Sequence, residues 1–116
     1  MTSERTYLDY LEDIRDAIDV VAEFIAGMTY EQFEEDAKTA FAVIRALEVL
    51  GEAAKNIPDS VRQQYTAVPW REMAGMRDKL IHHYFGVNLE VVWKTATEDL
   101  PDLAPLIHQI LSEAEE

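Results

Sequence analysis

The sequence contains no cysteine. Disulfide cross-links, thiolate nucleophiles and cysteine zinc sites are therefore excluded. Glycine and proline are sparse, four of each in 116 residues. No linker, repeat or low-complexity tract breaks the chain, so residues 1–116 are expected to form a single domain. No apolar run reaches the roughly 20 residues that span a bilayer. The acidic N-terminus is unlike a secretory leader. These features predict a cytoplasmic protein with no membrane partner. Basic side chains are also in deficit: ten Lys and Arg against 23 Asp and Glu give a formal charge of −13. Taken alone such a charge argues against nucleic acid, whose phosphates need a positive surface, and no DNA partner is expected.

What is present is hydrophobic and helical. Hydrophobic residues make up 48% of the chain, too many for a disordered segment. Tyr7, Leu11, Ile14, Ile18, Val21 and Ile25 recur every three or four residues, which predicts an amphipathic first helix capped at Thr2 or Ser3 and ended by Gly27. Thr29 and Gln32 have capping-box spacing. A long helix is expected over 36–56, with Ala37, Ala40, Phe41, Ile44, Leu47, Leu50 or Gly51, and Ala54 inward. Pro58 opens a short helix through Tyr65. Trp70 to Tyr84 reads as a third major helix. Asn88 caps a fourth, ending near Asp99, and Pro101 and Pro105 force a kink or a new start before the apolar tail. No strand is evident. The expectation is an all-α antiparallel bundle of four to five principal helices. Its wide apolar faces make a homodimer the default.

Charge is unevenly spread. Residues 1–50 carry four basic and twelve acidic side chains, a net of −8; residues 53–97 carry six basic and four acidic, a net of +2. Inside that second region lies Arg77-Asp78-Lys79-Leu80-Ile81-His82-His83-Tyr84, holding two of the chain's three histidines. Histidine exchanges protons near neutral pH. Arginine offers forked donors to phosphate oxygens. Together they suffice for metal-free RNA cleavage, in which the 2′-hydroxyl attacks its neighbouring phosphorus. On one straight helix Arg77 and His82 point about 140° apart. They converge only if the helix unwinds or a symmetry mate contributes.

Each residue also has a plainer role. His82 can neutralise helix-end carbonyls, and His83 can be solvated or ion-paired. Arg77 can pair with Glu48 or Glu52, acids one turn apart that repel each other unless a cation sits nearby. Tyr84, Trp70, Trp93, Met73 and Met76 can be packing, and His108 structural. No carboxylate and histidine cluster demands a metal, and no cofactor is expected.

Arg77-x4-His82-x-Tyr84 resembles the R-x4–6-H motif of HEPN domains, in the form found in HepT-like toxins. The stretch from Phe41 to Lys55, Pro69-Trp70 and Tyr84-Phe85-Gly86-Val87-Asn88 are similar to further landmarks of that family. The resemblance spans nearly the whole chain. It implies a helical, homodimeric, metal-independent ribonuclease whose motifs meet in a cleft between subunits. It implies the toxin of a type VII toxin–antitoxin system, partnered by an MntA-like nucleotidyltransferase antitoxin that transfers AMP from ATP to the motif tyrosine. On that reading Arg77 and His82 are catalytic and Tyr84 is the modified residue. His83, Lys79, Glu48 and Glu52 are supporting candidates. The acidic body narrows the expected substrate to a limited RNA such as a tRNA end. The competing expectations are a non-catalytic helical adaptor of a nucleotidyltransferase complex and a purely structural bundle.

Overall fold

A computed structural model describes residues 5–81 and 88–115, with the side chains of Arg77, Lys79, Ile81 and Glu115 outside that description. Helix α1 spans Tyr7–Ile25. It begins at Thr6, whose hydroxyl accepts from the Asp9 N–H while the Asp9 carboxylate accepts from the Thr6 N–H at 2.8 Å. That reciprocal pair satisfies two donors that a helix start otherwise leaves free. The start expected at Thr2 or Ser3 comes about one turn too early: Arg5 is not helical, and Thr6 has the acidic partner three residues on that makes it the cap. Leu11, Ile14, Ile18 and Val21 are buried as the spacing predicts, but Tyr7 is exposed. At the other end Gly27 has φ +75, and the Met28 N–H returns to the Ile25 carbonyl at 3.0 Å. Only glycine enters this left-handed turn without cost.

The Thr29–Gln32 capping box forms as expected and starts α2, Tyr30–Glu35. Helix α3 follows over Ala37–Lys55, capped by Asp36. Ala40, Leu47, Leu50, Gly51 and Ala54 face inward. Two expected inward positions do not: Ala37 is exposed and Phe41 is 73% exposed. Val43, Ala46 and Ala53 take up the interior instead. Alanines and aliphatics surround much of this helix, so several apolar arcs were available. The partner helices select among them.

Pro58 precedes α4, Asp59–Gln64. The third major helix is interrupted, contrary to expectation. α5 covers Trp70–Ala74 and α6 covers Met76–Ile81, with Gly75 between them at φ −80, ψ −6. Glycine is the weakest helix former after proline, so the break falls there. The expected continuation to Tyr84 lies outside the described residues. Asn88 caps α7, Leu89–Lys94, as predicted. Helix α7 then passes through a π turn, Thr95–Asp99, into α8, Leu100–Glu115. The Leu100 N–H reaches back five residues to the Thr95 carbonyl. Pro101 and Pro105 are both exposed, so the bonds they forgo face solvent.

Taking α5–α6 and α7–α8 as single arms, α1, α3 and these two arms form the all-α bundle, and the described residues contain no strand. The largest interface joins α1 to α3; α8 packs on α1, and α5 and α6 pack on α3. Leu11, Ile14, Leu47, Leu50 and Ile107 are fully buried at the centre. Each such side chain contributes about 1.5–3 kcal/mol relative to exposure. Phe33 of α2 lies 5.1 Å from the Trp93 ring and Tyr30 meets that ring edge-on, which ties α2 to α7. Trp70 is buried and its indole N–H donates to the Tyr65 carbonyl at 3.0 Å. Both tryptophans are packing residues.

Candidate active site

Arg77 sits on α6, which packs against α3. Leu80, three residues on, is buried and fixes that side of the short helix toward the core. Asp78 is exposed. His82, His83 and Tyr84 lie outside the described residues, as do the side chains of Arg77 and Lys79. The expected convergence of these groups therefore falls there too.

Glu48 and Glu52 are one turn apart on α3, as their spacing requires. Glu48 is half-buried and Glu52 exposed. The described cation beside Glu48 is Arg45, one turn earlier on the same helix, at 3.6 Å. Both acids line a cleft of about 310 Å³ between α3 and the start of α1. Arg5, Tyr10 and Asp13 form its other wall. Arg5 is ion-paired to Asp13 and lies 4.8 Å above the Tyr10 ring, so its charge is already engaged. Arg45 is different: its side chain is 74% exposed and its contact with Glu48 is loose. It presents forked donors to whatever approaches the cleft.

The sequence reading did not single out Arg45 or Arg5. A signal existed for Arg45: it lies four residues after Phe41 and four before Val49, on one exposed stripe of α3. With two arginines against Asp13, Glu48 and Glu52, this cleft alone is not a phosphate cradle. It needs further cations to take a nucleic acid strand. Among the described residues, no three His, Cys, Asp or Glu side chains gather closely enough to hold a metal ion. His108, expected to be structural, is exposed on α8. No helix among the described residues is long and apolar enough to cross a membrane.

Comparison with known proteins adds what the described side chains do not carry. Residues 14–110 match the family model described as "Ribonuclease HepT-like". A probable ribonuclease HepT of Thermococcus cleftensis is 56% identical over 100 residues, covering 86% of this chain and 91% of that protein. A candidate RNase of Caldanaerobacter subterraneus is 42% identical over 107 residues, covering 92% of this chain and 96% of its own length. A candidate RNase of Methanocaldococcus jannaschii is 46% identical over 107 residues, covering 92% and 85%. No solved structure matches the chain.

Proposed function

Because the chain belongs to the HepT-like ribonuclease family, we propose that it is an endoribonuclease in which Arg77 and His82 act on one phosphodiester. The observation that carries this reading is the family match across residues 14–110, which contains the whole Arg77-x4-His82-x-Tyr84 motif. His82 accepts the proton of an RNA 2′-hydroxyl, and that oxygen attacks the adjacent phosphorus. Arg77 donates to the non-bridging oxygens as their charge grows. The protonated His82 then gives that proton to the 5′-oxygen as its bond to phosphorus breaks, leaving a 2′,3′-cyclic phosphate and a 5′-hydroxyl. No metal is needed for these steps.

A homodimer is part of the proposal, because on a straight helix Arg77 and His82 would point about 140° apart, and a second subunit would bring the missing group across a cleft. The exposed stripe of Phe41, Arg45 and Val49 supports a two-fold contact along α3. Lys79, His83, Glu48 and Glu52 are the supporting candidates. Control falls to Tyr84. An MntA-like nucleotidyltransferase antitoxin transfers AMP from ATP: the tyrosine oxygen bonds the α-phosphorus and pyrophosphate leaves. The added phosphodiester is anionic and repels RNA from the cleft. This makes the chain the toxin of a type VII pair, working in the cytoplasm on a restricted RNA such as tRNA.

The test is cleavage of tRNA in EDTA. The expected products carry 2′,3′-cyclic phosphate ends, and His82→Ala abolishes cleavage while helical content and oligomeric state persist. Full activity in that variant removes His82 from the chemistry. The −13 charge favours one alternative, a non-catalytic adaptor. Stable complex formation with a nucleotidyltransferase, with no RNA cleavage by the free chain, would establish it.

A further inference from the structure

A second cavity shares no lining residue with the first. It is a groove of about 470 Å³ between the α5–α6 arm and the α7–α8 arm. Its floor is Met73, Met76, Leu80, Val91, Leu103 and Leu106. Its rim carries Glu72, Asp99 and Asp102, all exposed, and none of the described residues lining it is Lys or Arg. An apolar trough between helices suits a row of aliphatic side chains spaced along one helix face. Methionines in the floor adapt to more than one such row. The acidic rim selects the flanks of that row. It repels RNA phosphates and welcomes lysine or arginine. A second copy paired two-fold on this groove would set Glu72, Asp99 and Asp102 against their own counterparts.

We propose that this groove docks a basic amphipathic helix of a protein partner. The apolar face of that helix fills the trough, and its lysines or arginines lie against Glu72, Asp99 and Asp102. The site is independent of the ribonuclease reading, since neither Arg77 nor His82 is needed for docking.

The experiment uses the full chain and a fluorescent synthetic amphipathic helix of leucine and lysine as the probe. Binding is read by anisotropy at physiological salt, beside a leucine and glutamate peptide of the same length. Docking is expected for the first peptide and not the second. Asp99→Lys with Asp102→Lys should weaken it about tenfold or more. Glu12→Lys with Asp19→Lys changes the net charge equally on an exposed face of α1, and should leave binding within about twofold. Leu106→Gln, at a half-buried floor position, should also weaken binding about tenfold while circular dichroism stays unchanged. Equal losses from the two charge reversals would reduce the effect to bulk attraction and overturn the proposal. So would absence of binding to the lysine peptide. Loss of self-association in Leu106→Gln would assign the groove to a second copy, which also overturns it.

Discussion

Arg62 shows how much one side chain settles here without touching the proposed chemistry. Its Nη2 donates to the Ala54 carbonyl at 2.7 Å and its Nε to the Ile57 carbonyl at 3.0 Å. Those carbonyls belong to the end of α3 and the turn after it; the Ala54 carbonyl already accepts from the Ile57 N–H at 3.2 Å, and Arg62 is a second donor to it. A delocalised cation also opposes the negative end of the helix dipole. Arg62→Ala should lower unfolding stability by about 2 kcal/mol, since bonds from charged donors rank among the stronger ones. Arg62→Lys should recover little, because an ammonium lacks the forked reach. Urea denaturation checks both, and a midpoint unchanged by Arg62→Ala would deny the side chain this role. Nothing in the sequence flagged it. Its acceptors are main-chain carbonyls, which every sequence supplies, so the pattern of side chains carries no sign of the bond.

Among the elements, α3 separates what was legible from what was not. Thr29 with Gln32 was readable because partners three residues apart need no tertiary information. The inward face of α3 was readable at Leu47, Leu50 and Ala54 and misread at Phe41, because the choice of arc belongs to α1 and α5 rather than to α3. The start of α3 titrates. The Thr39 N–H and hydroxyl both donate to the Asp36 carboxylate, at 3.0 and 2.7 Å, and hold its pKa below the ordinary 3.8. A depressed folded-state value means the contribution is complete above 3.8 and fades as pH falls through the lower value. Asp36→Asn keeps an acceptor but cannot titrate. Its loss of stability between neutral pH and about pH 3 should be smaller than that of the parent chain. Parallel acid-induced melts measure this, and identical pH profiles would contradict it.

For the molecule as a whole, the decisive quantity is the charge of −13. The helical class and the acidic body are legible in composition and periodicity alone. The proposed active site is not, because five-residue spacing would set Arg77 and His82 about 140° apart on a straight helix, so the spacing by itself does not bring them together. The charge predicts an inverted salt response. RNA must approach against the field of the body, and dissolved ions screen that field. Cleavage at limiting RNA should therefore speed up as monovalent salt rises from very low to physiological levels. Nucleases that bind through basic surfaces slow down over that range. A steep slowing here would show that the basic side chains of 53–97 dominate the encounter.

The join between α7 and α8 contains one spare residue. If Thr97 is deleted, the existing bond from the Leu100 N–H to the Thr95 carbonyl becomes an ordinary i to i−4 bond, with Leu103, Ile107 and Ile110 still turned inward. The shortened arm then meets a new obstacle, because the Pro101 ring presses on the Ala96 carbonyl. The deletion alone should depress the melting temperature, and adding Pro101→Ala should restore most of it. That would make the turn an accommodation to a proline, and chains of this type lacking that proline could dispense with the extra residue.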